Sequence, residues 1–361
     1  MVASREGDSE AELQTLEVSN CRGYELGFSI GNRFSGLIRS RVAKDQLLQT
    51  QLRPFADTPQ GHSLVEALSA SNRNRYPIYW DELLGTAEGS GASLLDIILM
   101  NFRKEILPFI PTVKQVAETE VNSDCSDVLV LSDTLAIVAH NEDAATAIIG
   151  HFYLVKATLP SGVSFTAYTY AGELPSCAFG FNSHGLAFTL DSVPPLKEEI
   201  VAGGIGRNFV SRDLLEATGI DDALRRIREP SISFGHCYNL VDIRSRKILN
   251  VEAASCNRMS VYEVGPTPFF HANMYLHLPI KQAQDENSIS RQARAAQLSK
   301  QKEEDILSLL GDSTGQKFPI YMDGPTLKTS CTVLIDVDKR TLSILQGNPK
   351  DRKVSHVFCI S

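Results

Sequence analysis

Residues 122–128, Asn-Ser-Asp-Cys-Ser-Asp-Val, set a thiol where a polar linker turns into an apolar run. A cysteine sulfur becomes a strong nucleophile once a base takes its proton. A second polar run, Ala139-His-Asn-Glu-Asp-Ala144, closes the next apolar stretch. Together they offer a nucleophile, amides, carboxylates and an imidazole. Read locally, each also has a plain structural reading: Cys125 as a packed strand-edge residue, and Asn141 and Asp143 as hairpin residues.

The other reactive residue types point nowhere in particular. The seven cysteines (21, 125, 177, 237, 256, 331, 359) show no C-x-x-C spacing and read as free thiols. His271 and His277 have no thiol or carboxylate at ligand spacing in the sequence, and no H-E-x-x-H is present, so no metal site is expected. Gly203-Gly-Ile-Gly206 lacks the third glycine of a dinucleotide loop, because Phe209 stands in its place, and reads as a loop before a helix.

These candidates must be positioned by a chain whose two parts read differently. From Tyr24 to Val42, Leu26, Ile30, Phe34, Leu37, Ile38 and Val42 recur at helical spacing, and helices are also expected around Leu64–Leu68 and Trp80–Ala87. Ser93-Leu-Leu-Asp96 reads as a capping box opening a further helix. Beyond about residue 124 the pattern predicts hairpins: 128–131 with 135–139, 152–159 with 163–170, 178–181 with 186–190, 237–243 with 248–253, and 332–337 with 341–345. Residues 209–227 and 290–310 read as helices, Lys300–Asp305 as a solvated helix face, and 311–324 as a loop. Hairpins interleaved with helices favour antiparallel sheet covered by helix, an α+β chain.

Of the 361 residues, 43% are hydrophobic and 22% charged, ordinary for a globular protein with a substantial core. A net charge of -8 argues against nucleic acid as a partner. No apolar stretch approaches the roughly 18 residues of a membrane span. The acidic start, with Glu6, Asp8, Glu10 and Glu12, is unlike a secretory signal, so the expected location is cytoplasmic.

The order of several segments resembles the acyl-coenzyme A:6-aminopenicillanic acid acyltransferase family, whose fold is that of the N-terminal-nucleophile (Ntn) hydrolases. Gly23-Tyr-Glu-Leu-Gly27 with Gly31 stands in the setting of its opening G-x-x-x-G helix. Tyr76-Pro-Ile-Tyr-Trp-Asp-Glu-Leu-Leu-Gly-Thr-Ala-Glu-Gly89 follows its W/Y-P-x-Y-x-x-E-x-x-G-x-A-x-G pattern, and Leu94–Asn101 with Arg103 its L-N-x-R helix end. Ala139-His-Asn141-Glu-Asp143 resembles its G-x-N-x-D strand end, Gly180-Phe-Asn-Ser-His-Gly185 its G-F-N-S-x-G turn, and His271-Ala-Asn273 its H-x-N. The match runs from about residue 20 through nearly the whole chain.

The resemblance implies a four-layer αββα sandwich, divided as a disordered tail (1–20), a helical N-terminal segment (21–124, the alpha subunit after self-cleavage) and the αββα core (125–361, the beta subunit). It implies that Cys125 attacks the carbonyl of Asp124, shifts the acyl group to sulfur and, after hydrolysis, becomes a new N-terminus. The freed α-amine, with a pKa near ~8, then serves as base for a thiol near ~8.5. Asp143 would orient that amine, Asn141 would help shape the site, and Asn273 would donate to the oxyanion, a contact worth roughly 3 kcal/mol. Asn182 and Gly185 build a turn. Thr189, Asp191, Thr329 and Ser330 are the substrate-binding candidates, Asp191 for an ammonium group.

Two departures stand out. Asp124 replaces the glycine that often precedes the nucleophile, which implies either slower processing or a carboxylate that assists the acyl shift. The family's Ser-Arg pair falls on Lys328-Thr329 or Thr329-Ser330, so its arginine is missing. The partner expected is a small-molecule amide or acyl donor, within a self-cleaved alpha/beta heterodimer, with no cofactor beyond a coenzyme A thioester as acyl-donor substrate. Hydrolysis and acyl transfer share one acyl-Cys125 thioester and stay open at this point. So do an unprocessed binding homologue and a papain-like pairing of Cys125 with His140 or His271.

Overall fold

The computed structural model describes residues 13–111, 125–314 and 317–361; Asp124 and the rest of the linker before Cys125 lie outside them. The strands are β1 (Gln14–Ser19), β2 (Cys125–Leu131), β3 (Ala136–Ala145), β4 (Phe152–Thr158), β5 (Ser164–Tyr170), β6 (Phe179–Asn182) and β7 (Leu186–Ser192). They continue with β8 (His236–Asp242), β9 (Lys247–Ala254), β10 (Arg258–Glu263), β11 (Phe269–His271), β12 (Leu327–Asp336), β13 (Thr341–Leu345) and β14 (Val354–Cys359). One sheet runs β1-β4-β5-β6-β7-β8-β9-β10 and the other β11-β2-β3-β12-β13-β14. All five expected hairpins form, as β2–β3, β4–β5, β6–β7, β8–β9 and β12–β13.

Three apolar cores give the layer order. Helical residues such as Leu26, Ile38, Leu68 and Ile97 pack on Tyr153, Phe165 and Phe188 of the first sheet. Leu154, Phe179 and Val241 of that sheet meet Leu129, Val138 and Ile335 of the second. Val128, Val130, Ile137 and Ala139 on the second sheet's far side meet Ala295, Ile306 and Leu310 of the helices Glu286–Ala295 and Glu303–Leu310. The result is the αββα sandwich expected. Strand periodicity sorts β2 and β3: Leu129, Ala136 and Val138 face the other sheet, and their neighbours in sequence face the helices.

The expected domain division changes in two places. Residues 14–19, expected in the tail, pair in parallel with β4 as an edge strand. The helices before residue 110 share the layer on the first sheet with Arg207–Leu214 and Ile220–Arg228, so both segments contribute to the sandwich.

The glycines of the opening motif have a packing reason. Helices Tyr24–Arg33 and Pro77–Ser90 touch backbone to backbone. A Cβ on Gly27 would fall on the Glu82 carbonyl, one on Gly31 on that of Thr86, and ones on Gly85 and Gly89 on those of Tyr24 and Phe28. Only glycine allows that approach.

Both long helices expected in the second half are interrupted. Arg207–Leu214 and Ile220–Arg228 replace one helix. The Asn182 side chain donates to the carbonyls of Leu215 and Ala217 at 3.2 and 2.8 Å, satisfying acceptors where the first ends. Asp222 Oδ2 accepts from the Thr218 amide at 3.0 Å and starts the second. Glu286–Ala295 and Glu303–Leu310 likewise replace 290–310. Ser93 sits at its helix N-cap without a side-chain cap bond, and Asp96 instead binds the Arg53 guanidinium at 2.6 and 2.7 Å.

Candidate active site

Cys125 is the first residue of β2, and register decides its neighbours. Cys125 lies opposite Glu142, and Asp127 opposite His140. Cys125 Sγ is 3.7 Å from Glu142 Oε2. His140 Nε2 lies 2.9 Å from that same oxygen, and its Nδ1 lies 2.9 Å from Asp127 Oδ2. The Tyr170 hydroxyl donates to Glu142 Oε1, and Thr189 Oγ1 donates to Asp127 Oδ1 at 2.6 Å. Farther back, Asp191 Oδ2 accepts from Asn239 Nδ2 at 3.1 Å and lies 3.0 Å from His271 Nδ1. A file of polar side chains thus runs from Cys125 into the space between the sheets, all of it buried.

Burial sets the electrostatics. It pushes the Cys125 thiol well above its ordinary range, and the carboxylates of Glu142, Asp191, Asp143 and Asp127 push it further. Burial alone would keep His140 neutral, but Asp127 and Glu142 on its two nitrogens outweigh it and hold the imidazole protonated well above its usual range. Asp191 is pushed up to about 7 by burial and by Asp127, against the pull of His271.

The backbone of Cys125 is gripped separately. Its nitrogen donates to Asn273 Oδ1 at 2.8 Å, and Asn273 Nδ2 donates to the Ser192 carbonyl at 2.9 Å. Arg291 Nη2 also donates to Asn273 Oδ1, at 2.8 Å. Two donors on one atom and a carbonyl on the other fix the amide's orientation. Arg291, fully buried on the Glu286–Ala295 helix, further donates through Nη1 to the Cys125 carbonyl and to Ser126 Oγ. A cavity over the sulfur is walled by Arg41, Arg103, Lys104, Glu142, Tyr170, Glu173, Arg207 and His236. Burial, Arg207 and Lys104 keep His236 neutral, well below its usual range.

The expected site residues separate by strand face. Cys125 and Asn273 come together, with Asn273 holding the backbone nitrogen of Cys125 through Oδ1. Asp143 lies on the face of β3 opposite to Glu142, where its Oδ1 accepts from Thr329 Oγ1 at 2.5 Å. Asn141, expected to shape the site, instead ties the strand to the helical layer. Its Nδ2 donates to the carbonyls of Leu310 and Ile320 at 2.8 and 3.3 Å, and its Oδ1 accepts from Thr332. Of the four substrate-binding candidates, none is among the residues walling the cavity. Thr189 and Asp191 belong to the polar file behind Cys125, Thr329 donates to Asp143, and Ser330 donates to the Glu142 carbonyl. Asp124 lies outside the described residues.

Sequence reasoning passed over Glu142, Asp127 and Arg291. The signal for the first two was parity: once Cys125 heads a strand paired with β3, His140 and Glu142 share its face and Asn141 and Asp143 do not. Arg291 gave no signal within an amphipathic helix. His271, which has no ligand-type neighbour in sequence, is brought by the fold to Asp191 and Cys237. That trio, Cys125 with His140 and Glu142, and Asp127 with His140 and Asp191 each place ligand-type atoms within 4.8 Å of one another. For His140 and its carboxylates, mutual hydrogen bonding already accounts for the closeness.

A cysteine heading a buried central strand of an αββα sandwich, its nitrogen held by an amide and its sulfur facing a cavity, defines an Ntn-type cysteine amidohydrolase or acyltransferase, an enzyme of carbon–nitrogen bonds. The chain belongs to the acyl-coenzyme A:6-aminopenicillanic acid acyl-transferase family, whose sequence profile matches residues 130–351. It is 26% identical to the beta-alanyl-dopamine/carcinine hydrolase of Drosophila melanogaster over 94% of each chain. Among solved structures it is similar to penicillin V acylase from Agrobacterium tumefaciens, at a TM-score of 0.38 and 11% identity, covering 62% of this chain and 83% of that one. It is also similar to a variant of conjugated bile acid hydrolase from Clostridium perfringens, at a TM-score of 0.39 and 13% identity, covering 66% of this chain and 98% of that one.

Proposed function

We propose that this chain is a self-processing N-terminal-cysteine amidohydrolase that cleaves a linear aminoacyl-amine or acyl-amine conjugate through an acyl-Cys125 thioester. The observation that carries the reading is the pairing of Cys125 N with Asn273 Oδ1 at 2.8 Å while the sulfur of the same residue faces the cavity. Nitrogen and sulfur of one residue are each held in place, as a nucleophile that carries its own base requires. After cleavage between Asp124 and Cys125, Asn273 retains the new α-amine, with Asp143 orienting it. The amine takes the thiol proton, the sulfur adds to the substrate carbonyl, and the carbon–nitrogen bond breaks as the leaving amine takes the proton. Water then releases the acid and restores the thiol. The fly relative's name points to β-alanyl-dopamine as the substrate type to try first.

The Lys104 and Arg207 side chains on the cavity wall favour a second reading, transfer from a phosphate-bearing acyl donor such as a coenzyme A thioester. Incubating the purified protein with β-alanyl-dopamine, and separately with an acyl-coenzyme A plus an amine, distinguishes them. Hydrolysis predicts free β-alanine without any added amine, and an acyl adduct on the fragment beginning at Cys125. Product that forms only when donor and acceptor amine are both present would replace hydrolysis with transfer. A full-length chain inert in both assays would favour a binding homologue.

A further inference from the structure

Self-processing poses a problem that the α-amine cannot solve. Until the bond before Cys125 is cut, that nitrogen is a peptide amide, whose lone pair is delocalised and takes no proton. The thiol meanwhile is buried among carboxylates and keeps its own proton at neutral pH. The first reaction needs another base.

We propose that Glu142 is the catalytic base of the intact chain, taking the Cys125 thiol proton, with His140 and Asp127 as positioning residues behind it. The inference rests on the self-processing reading. Glu142 Oε2 is 3.7 Å from Sγ, within reach of a thiol donor. The Tyr170 hydroxyl on Oε1 fixes the carboxylate plane so that Oε2 is the oxygen turned to the sulfur. His140 does not compete, because each of its ring nitrogens is already directed at a carboxylate oxygen. Asp143 is on the other face of β3, and it is Glu142 rather than Asp127 that lies opposite Cys125 in the strand register and meets its sulfur.

The step balances without an outside partner. The S–H bond breaks and an O–H bond forms on Glu142, so the charge only moves from oxygen to sulfur within one buried group. The imidazolium of His140, donating to the same carboxyl, lies close enough to offset the thiolate. The sulfur pair adds to the carbonyl carbon preceding Cys125. Collapse breaks the carbon–nitrogen bond, Glu142 returns its proton to the departing nitrogen, and a thioester and a free α-amine result. Water hydrolyses the thioester to a carboxylic acid and the thiol.

The test follows cleavage of full chains made by cell-free synthesis, using intact mass against time for the wild type, Glu142→Gln, Glu142→Asp, His140→Asn and Cys125→Ala, with thermal unfolding of each. Glu142→Gln should slow cleavage about 100-fold, the usual span of a general base. Its residual rate should climb about tenfold per pH unit, because solvent hydroxide must then deprotonate the thiol. Glu142→Asp should cleave at an intermediate rate without that slope, and His140→Asn should slow cleavage about tenfold. Cleavage of Glu142→Gln at the wild-type rate overturns the proposal. If Glu142→Gln does not fold, a Glu142→Asp chain that folds but follows the hydroxide slope overturns it equally. A wild-type chain that stays full length yet hydrolyses amides removes self-processing alone. The base is then read in turnover, where Glu142→Gln should lower kcat about 100-fold at unchanged KM, and an unchanged kcat overturns it. A wild-type chain both intact and inert ends both readings.

Discussion

The space between the two sheets has an apolar end and a polar end, and β2 and β3 build both. Toward one end the inward residues are Leu129, Ala136 and Val138, packed on Leu154, Phe179 and Val241. Toward the other they are Cys125, Asp127, His140 and Glu142, at the same alternate spacing. Burying apolar surface stabilises by about 25 cal/mol per Å². Burying charged groups costs several kcal/mol each, and their mutual attraction returns that only when the geometry is good. One end of the hairpin therefore holds the sheets together, and the other gives up part of that stability to bury a thiol among ionisable side chains.

Substitutions at the two ends should separate along that line. Cys125→Ala is expected to lower amide hydrolysis at least about a thousandfold without lowering the unfolding midpoint, since the uncut chain keeps its two segments joined; assay of the variant beside a urea titration reads both. Leu129→Ala should do the reverse, costing about 3 kcal/mol by the same titration, with kcat per folded molecule unchanged. A loss of kcat there would mean that the ends are coupled through the strands. Arg291→Lys should move both quantities, because its planar fork reaches the Cys125 carbonyl, Ser126 and Asn273 at once. We expect about 2 kcal/mol of destabilisation with slower processing.

The last expected effect is one of pH. Burial and Asp127 push the Asp191 carboxyl up to about 7 in the folded chain against the pull of His271, compared with about 4 when unfolded. Between those values the folded state keeps a proton that the unfolded state has released, so this contribution is full below about pH 4 and is lost as pH rises to about 7. Asp191→Asn should flatten that decline, by at most about 1.4 kcal/mol per pH unit. Unfolding midpoints of both proteins across the interval supply the check.

Much of this was legible in the sequence. The hairpins followed from alternating apolar runs between turn residues, while Cys125 stood out through the order of the family motifs around it and not through its local setting. Motif order supplied Asn273, far away in sequence. Lost were features fixed by tertiary placement. The break before Ile220 depends on Asn182, a turn residue from another segment, and Arg291 owes its role to where its helix lies. Asn141 and Glu142 show the sharpest limit: adjacent residues on a strand face opposite layers. Resemblance pointed to the asparagine, while register put the glutamate beside the sulfur.

The central claim is that Cys125 becomes an N-terminus. The intact mass of the purified wild-type protein tests it directly, with Cys125→Ala alongside. Two fragments that meet between Asp124 and Cys125 are expected in the wild type, and one full-length chain in the variant. A wild-type chain that remains whole while it hydrolyses amides would contradict it.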